Sequence, residues 1–458
     1  MMLNKQSSFY SNILILFITV FVLVVTPFFV NWQPALHPFT MDVNQYYSYL
    51  VATFIDHDIF FNSNNHSYWL METGTHQVVP KVTYGVAFFY APFFLIANLF
   101  SAPNSSGYEA IYSWSIHYGC VIYVLLGFWF LRKVLLTWFT DLVVAISLFL
   151  LLFATNLFYY TLSESESVHG ILFFLISLFL YHVIKWHNTK SKSSLLWFML
   201  CAGFICLIRP TECLVLLFPL LIGVTNKISV IEKLNKILSL KLFLILAAIL
   251  FILPILPQLV YWKIQSGSFL FFSYGSSEGF FWNNPQLLNV FFSFKKGLFI
   301  YTPILIFSIP GFFLMYQKNK MIFWPVLFYF IINTYFICSW WDWAYGGSFG
   351  MRAFIHSYSI LVIPFTYFIN WIIDMYDTSY FKKGLLGLCL LLSLFFCFLN
   401  VFQSNLYKHH IIHWDGMTKE AYQFTFLKKN YTKQDLEYLQ SLIKRPDYEA
   451  RRHGLRDE

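Results

Sequence analysis

Asp42 lies in the stretch MDVNQYYSYL at positions 41–50, and it is a candidate for accepting a proton in a reaction. The stretch contains no Lys or Arg, and it follows an apolar run at 11–30. The pattern predicts a helix that Thr40 or Asp42 would cap. A helix N-terminus favours an ionised carboxylate, which is the form that a general base needs. A cap and a base are therefore compatible interpretations of the same residue.

Two further pairs of acids have the spacing of a divalent-cation site. Asp56 and Asp58 flank a histidine in IDHDIFF, and Glu164 and Glu166 precede His169 in TLSESESVHG. Carboxylate oxygens are suitable ligands for hard cations. Such pairs also occur in helix caps and polar loops, and both glutamates could serve one site only from an extended loop. A divalent metal is thus the one candidate cofactor.

Two cations lie beside helix-breaking residues and could bind an anion. Lys81 follows Pro80 in PKVTYG, just before the apolar run 84–100, and Arg209 lies in CLIRPTECL, three residues before Glu212. Each also has a structural interpretation. A lysine at a membrane surface can extend to the lipid headgroups, and Arg209 could pair with Glu212.

The segment SWWDWAYGGSFGMR surrounds Asp342 with aromatic residues and carries Tyr345 and Arg352. An aromatic belt at a membrane surface would account for the tryptophans. It does not require the glycines, which let a backbone approach a ligand closely, or Arg352, which could form a forked pair of hydrogen bonds with phosphate. For Lys295 and Lys296 we expect contact with lipid headgroups.

These residues must be positioned by helices in a membrane. The 458 residues are 58% hydrophobic and 11% charged, with a mean hydropathy of +0.60, whereas soluble domains carry roughly 25% charged residues. Backbone groups must bond to one another in a bilayer, and the apolar runs do not alternate, so the spans are helices. The seven cysteines lie in apolar runs and are predicted to be buried thiols. The predicted spans are 11–30, 111–131, 141–160, 170–186, 195–208, 212–225, 241–262, 298–316, 321–339, 353–373 and 384–402.

The distribution of Lys and Arg fixes the predicted topology. If 84–100 lies in the outer interface without crossing, fourteen of the Lys and Arg residues before position 403 fall on one side and six on the other, and the tail holds the remaining ten. In membrane proteins Lys and Arg mark the cytoplasmic side. The excess of these residues is therefore explained by topology, and we expect no nucleic-acid partner. The transmembrane domain would span 1–402, with long outer loops at 31–83 and 263–297, and the tail 403–458 would lie outside. A short amphipathic helix is predicted at 434–443.

This arrangement resembles the GT-C superfamily of polyprenyl-phosphate-sugar glycosyltransferases, including protein O-mannosyltransferases and lipid A aminoarabinose transferases. The similarity covers about residues 1–402. Asp42 with Tyr46 and Tyr47 is similar to the acid-then-tyrosine motif after the first span, and PKVTYG and WWDWAYGGSFGMR are similar to other outer segments of the family. Val43 stands where many members have a second acid, so Asp42 would act alone or with a more distant carboxylate.

The resemblance implies an all-α bundle of about eleven membrane helices in a bacterial inner membrane, with its active site on the outer side. It also implies inverting transfer of a sugar from a polyprenyl-phosphate donor to a glycan, lipid or protein hydroxyl. Asp42 would be the base, and Lys81, Arg209 and Arg352 would stabilise the departing phosphate. Tyr46, Tyr345 and His169 would complete the substrate site.

A transporter or flippase of lipid-linked oligosaccharides is the main alternative. An oligosaccharide ligase or polymerase, which shares the lipid donor but not the early acid loop, is a third. Transporters usually place charges along their spans and are often built from related halves. Here the spans are nearly free of charge and no halves match. The glycosyltransferase is therefore the favoured prediction.

Overall fold

Helices form nearly all the regular structure in the computed structural model, which describes residues 8–30, 39, 41–62, 70–275, 277–374 and 380–455. These residues contain one sheet, of two short antiparallel strands. Within these described ranges, five helices are long and apolar enough to cross a membrane, or six if one bent pair is counted. The chain is thus an all-α, multi-pass membrane protein. The chain divides into two compact units, residues 1–18, 135–163 and 277–458, and residues 19–134 and 164–276.

The first unit, called unit 1 below, contains most of the second half of the chain. Helix Phe9–Phe29 begins in it and ends in the second unit. Helices Ser308–Lys318 and Tyr358–Asp374 pack closely at Gly311, where a Cβ would lie 2.0 Å from the Pro364 carbonyl oxygen. The helices of unit 1 are Asp141–Phe153, Leu157–Leu162, Leu287–Phe292, Leu298–Tyr301, Ser308–Lys318, Lys320–Ser339, Tyr358–Asp374, Tyr380–Lys408, Lys419–Thr425, Lys433–Leu442 and Tyr448–Arg452, with 3-10 helices Pro303–Phe307 and Arg352–Phe354.

The second unit, called unit 2, contains the first predicted outer loop. Its helices Lys192–Ile208 and Leu242–Ile252 meet at Gly203, where a Cβ would lie 2.2 Å from the Phe251 carbonyl oxygen. The strands are Leu70–Glu72 and Val78–Pro80. The helices are Met41–Phe54, Gly85–Phe100, Ala110–Leu135 (whose last residue belongs to unit 1), Val168–Thr189, Lys192–Ile208, Leu217–Leu221, Lys227–Leu238, Leu242–Ile252 and Leu256–Ser266, with the 3-10 helix Pro210–Leu216.

Several predicted spans are not continuous helices, and the count of about eleven is not confirmed. Proline lacks a backbone N–H and clashes with the preceding turn, and it lies at two of the four breaks in these runs. The run 298–316 is divided at Pro303, and 241–262 bends by 48° where Pro254 and Pro257 occur. The run 212–225 becomes a 3-10 helix followed by Leu217–Leu221, and 141–160 is interrupted after Phe153.

Other local predictions agree with the structure. Helix Gly85–Phe100 occupies the run predicted to lie at the interface, and Lys433–Leu442 is the short helix predicted in the tail. The position of Gly85–Phe100 relative to a membrane stays a prediction. All seven cysteines are free, but Cys213 is exposed, because it lies in the 3-10 helix Pro210–Leu216 and not in the continuous span expected there.

Candidate functional site

Asp42 lies in the first turn of helix Met41–Phe54, in unit 2, with its side chain exposed. The alternative cap, Thr40, lies outside the described residues. Tyr47 anchors the helix, since it is fully buried, stacks on Phe39 at 3.6 Å and donates a hydrogen bond to the Gly107 carbonyl. An exposed carboxylate is therefore held on a fixed helix end.

Tyr46 is four residues from Asp42, so the two side chains share a face of the helix. The electrostatic neighbours of the buried Tyr90 hydroxyl include Tyr46 and Glu166. Tyr90 also donates a hydrogen bond to the Glu166 carbonyl. The structure thus brings Tyr46 and the second glutamate of SESES to one place in unit 2, with His169 buried at the start of the following helix.

Glu166 is buried and hydrogen-bonded to His117, with 2.7 Å between its carboxylate and the His117 Nδ1 atom. The Ser165 hydroxyl donates a hydrogen bond to the His117 carbonyl at 2.9 Å, which holds the turn containing Ser165 and Glu166 beside His117. Glu164, two residues earlier, is only partly buried. The two glutamates therefore have different surroundings, and Glu166 serves a buried pair that the sequence did not reveal.

Replacing Glu166 by Ala is expected to lower the free energy of unfolding by about 1–3 kcal/mol, because His117 would lose its buried partner. Thermal unfolding of the purified chain measures the change. Glu164→Ala is the matched control and is expected to have a smaller effect. Glu166→Gln keeps a hydrogen bond to His117, so its stability should stay near wild type, and equal losses in both Ala variants would contradict the assignment.

Asp56 and Asp58 also have different neighbours. Asp56 acts electrostatically on Tyr108, whose pKa is raised to about 12 mainly by burial. Asp58 accepts a hydrogen bond from Asn62 at 3.1 Å and acts on Tyr261. In the part of the chain that the structure describes, no three His, Cys, Asp or Glu side chains are grouped as metal ligands. These residues do not fit a protein-held divalent cation, and no step is assigned to one.

Lys81 and Arg209 lie in segments that the structure packs together in unit 2. Thr83 donates a hydrogen bond to the Leu207 carbonyl at 2.7 Å, and a Cβ on Gly85 would lie 2.7 Å from the side chain of Ile208. PKVTYG therefore rests against the end of helix Lys192–Ile208, immediately before Arg209. The Lys81 ammonium lies 4.8 Å from the centre of the Tyr274 ring.

An apolar cavity of about 640 Å³ begins beside this segment. Tyr84 lines it three residues after Lys81, and its backbone N–H donates to the Gln258 side chain at 3.0 Å. Most of the remaining lining is aliphatic or aromatic, which suits a hydrocarbon chain. Residues that define the cavity are Tyr49, Tyr84, Phe88, Leu256, Gln258 and Tyr261.

Asp342 organises the loop 340–352 in unit 1. One carboxylate oxygen accepts the Gly346 backbone N–H at 2.6 Å, and the other is 2.8 Å from the Arg451 guanidinium. The turn places Tyr345 at φ +58° and Gly346 at φ +61°. A left-handed conformation at a residue other than glycine costs on the order of 1–3 kcal/mol and requires support from its surroundings. Asp342 thus supports a strained turn.

The aromatic-belt interpretation is wrong for Trp343, which is fully buried with its ring 5.8 Å from the Arg451 guanidinium carbon. The prediction of headgroup contact is wrong for Lys295, which is 5% exposed, and for Lys296, which is 1% exposed. The Lys296 ammonium donates hydrogen bonds to the backbone carbonyls of Ser348 and Trp414. Buried carbonyls need donors, and Lys296 supplies one to both the loop and the tail.

Arg352 begins the 3-10 helix at the end of the loop and is partly buried. Tyr345 donates a hydrogen bond to the Ile337 carbonyl at 3.3 Å, which ties its side chain to the preceding helix. The charged groups that act on Lys296 and Asp342 are Lys295, Arg352 and Arg451 together with Asp415. Cations thus outnumber acids in this group, which favours binding of an anion.

Burial lowers the pKa of Lys296 to about 7, and Arg352 acts in the same direction, whereas Asp415 opposes it. Between pH 7 and the ordinary value of 10.5, the unfolded chain holds a proton that the folded chain lacks. Stability from this group should therefore rise with pH, by up to ~1.4 kcal/mol per unit. Thermal unfolding between pH 6.5 and 9 should show a rise that Lys296→Met removes. The same pH dependence in both proteins would contradict this.

Several residues of these sites were missed by the sequence analysis. His117 lies within an apolar run, where an ionisable residue is itself a signal. Arg451 and Asp415 lie in a tail with many charges, where nothing in the local pattern distinguishes them. Gln258 lies in the first turn of the second helix of the bent pair.

Known proteins resemble this chain in fold. No family model and no curated protein matches the sequence. Similar solved structures are those of the oligosaccharyltransferase of Archaeoglobus fulgidus. AglB, in complex with an inhibitory peptide and a dolichol-phosphate, has a TM-score of 0.51 and 11% identity over 97% of this chain and 61% of that chain. The apo form has a TM-score of 0.50 and 12% identity, over 97% and 60%. A complex with Zn and sulfate has a TM-score of 0.51 and 14% identity, over 95% and 57%.

The chain thus spans about three fifths of the length of these structures. AglB is a GT-C superfamily enzyme. The fold of this chain is therefore similar to a GT-C fold, while the O-mannosyltransferase and aminoarabinose transferase subfamilies are not distinguished.

Proposed function

We propose that this chain is a membrane glycosyltransferase that moves a monosaccharide from a polyprenyl-phosphate donor to an acceptor hydroxyl, with inversion. The observation that carries the proposal is the apolar cavity of about 640 Å³ beside the Lys81 segment. A hydrocarbon chain would fill such a cavity, and a phosphate at its mouth would meet Lys81 and Arg209. The similarity to AglB, solved with a dolichol-phosphate, supports a lipid phosphate as the ligand class.

In the proposed reaction, Asp42 accepts the proton of the acceptor hydroxyl as its oxygen attacks the anomeric carbon. The bond between that carbon and the donor phosphate oxygen breaks, and the lipid phosphate leaves with the bonding electrons. Lys81, Arg209 and Arg352 are assigned to the phosphate, whose negative charge grows in the transition state. Attack on the face opposite the departing phosphate inverts the anomeric configuration.

The proposed site lies on the outer face of a bacterial inner membrane, and the acceptor is a glycan, lipid or protein. The tail supports one part of this topology, because Trp414 and Arg451 bind the loop 340–352 within unit 1. The tail and that loop therefore belong to the same side of the membrane. The predicted topology assigns both to the outer side.

The test uses purified chain in lipid nanodiscs with a radiolabelled undecaprenyl-phosphate monosaccharide. Acceptor-dependent release of undecaprenyl phosphate, with an inverted product by NMR, is the expected result. A second arm supplies a lipid-linked oligosaccharide, which distinguishes the size of the transferred group. The chain is also reconstituted in lipid vesicles. If it moved the intact donor across the vesicle membrane without cleaving it, the transporter alternative would replace the proposal.

A further inference from the structure

We propose that Arg451 is a positioning residue that acts through Asp342 to hold the loop 340–352 in its binding conformation. The C-terminal clasp is defined as residues 413–416 and 447–455, which contact this loop within unit 1. The inference rests on the proposed function in one respect: Arg352, which the clasp would position, is assigned there to the donor phosphate. The part of the inference that says the clasp orders the loop depends only on the contacts between them.

The ion pair between Arg451 and Asp342 is buried, with side chains 0% and 8% exposed. Burial raises the pKa of Asp342, and the Arg451 guanidinium opposes that rise. The second oxygen of Asp342 accepts the Gly346 N–H. Because each oxygen has a protein donor, the carboxylate serves the turn. Asp342 therefore transmits the position of Arg451 to the loop backbone.

The guanidinium of Arg451 is itself held by aromatic rings. Its central carbon lies 5.8 Å from the Trp343 ring centre and 5.7 Å from that of Tyr448. Tyr448 in turn donates its hydroxyl hydrogen to the Asp415 carboxylate. Rings that pack a cation restrict its orientation. The clasp is therefore a connected network from residue 415 to the turn at 342–346.

The clasp contacts the loop a second time at Ser348. Its backbone N–H donates to the Trp414 carbonyl at 3.1 Å, and Lys296 donates to the carbonyls of both residues. The next residue, Phe349, is held instead by Asn156 and Tyr160, at 3.0 Å each. The segment between the anchors at Asp342 and Phe349 contains the left-handed turn, and Arg352 follows Phe349 by three residues. Loss of the Asp342 contact should release the turn while Phe349 stays fixed.

A buried ion pair is weak evidence for stability, since its removal as a pair is often neutral. A comparison of single and double variants can therefore separate a positioning role of Arg451 from a purely structural one. Arg451→Met leaves a buried carboxylate without its cation. Arg451→Gln combined with Asp342→Asn replaces the charges by two amides that can bond to each other. The double variant should restore what the single variant loses.

The experiment is hydrogen–deuterium exchange of the full chain, followed by peptides that cover 340–352. We expect Arg451→Met to exchange roughly tenfold faster in these peptides, with the double variant near wild type. Lys428→Met is the matched control, because it breaks the tail ion pair with Asp435 at 2.6 Å and should leave the loop unchanged. Unchanged loop exchange in Arg451→Met would overturn the inference.

Sugar transfer by the same variants tests the positioning role. Arg451→Met should lower kcat roughly tenfold, the amount that ~1.4 kcal/mol of lost transition-state stabilisation represents, and the double variant should recover it. Faster loop exchange with unchanged transfer would overturn that role. Absence of transfer in wild type would count against the proposed function, whereas the exchange result would still decide whether the clasp orders the loop.

Discussion

Asp42→Asn is expected to lower the rate of sugar transfer by ~10²–10⁴-fold, the usual contribution of a general base. The amide has nearly the same shape as the carboxylate but cannot accept the acceptor proton. Because Asp42 is exposed at a helix end whose anchor is the buried Tyr47, the fold should be unaffected. The effect should appear in kcat, with the donor KM and the melting temperature near wild type.

Glu72→Gln is the matched control for Asp42→Asn. It removes one negative charge from the same predicted outer loop, and its side chain is 70% exposed beside His76. Its transfer rate should equal that of wild type. Transfer by Asp42→Asn at a rate close to wild type would remove Asp42 from the base role and would direct attention to Glu166, in the same unit.

The candidate residues were predictable where local pattern decides their place. An acid followed by tyrosines after an apolar run predicted the helix on which Asp42 lies, and the structure has that helix at Met41–Phe54. The spacing of leucines in the tail predicted helix Lys433–Leu442. Both follow from periodicity and capping preferences that act within one or two turns.

Long-range pairing was not predictable in the same way. His117 and Glu166 are separated by 49 residues and Asp342 and Arg451 by 109, and no periodicity relates such positions. Lys296 was misassigned for the same reason. A lysine at the end of an apolar run usually extends to water or headgroups, and only packing of the tail on the loop buries it.

Continuity of the spans was overestimated because hydropathy does not register backbone geometry. The run 298–316 is apolar throughout, yet Pro303 and its neighbours divide it into three short pieces. Broken helices at membrane depth are tolerated where protein surrounds the backbone. Two of the breaks that hydropathy missed lie at prolines that were visible in the sequence, whereas the breaks after Phe153 and after Leu216 have no proline.

Arg352→Met is expected to lower kcat for transfer by ~10²–10³-fold, as loss of one donor to a developing anion does. Arg352→Lys keeps the charge but loses the forked geometry, so its loss should be smaller than that of Met but clear. Transfer rates at saturating donor measure both. Arg445→Met, an exposed arginine of the tail, is the matched control and should be neutral.

The role of Arg352 can be separated from support of the loop by chemical rescue. Arg352→Ala removes the side chain of a partly buried residue, and added guanidinium would then supply the missing cation to the departing phosphate. If Arg352 acts on the phosphate, guanidinium should raise kcat of Arg352→Ala, while a neutral urea should not. If Arg352 only supports the backbone of its 3-10 helix, neither should act, and loop exchange should increase as in Arg451→Met. The two outcomes differ in chemistry as well as in rate, so a merely structural arginine would not be mistaken for one that binds the phosphate.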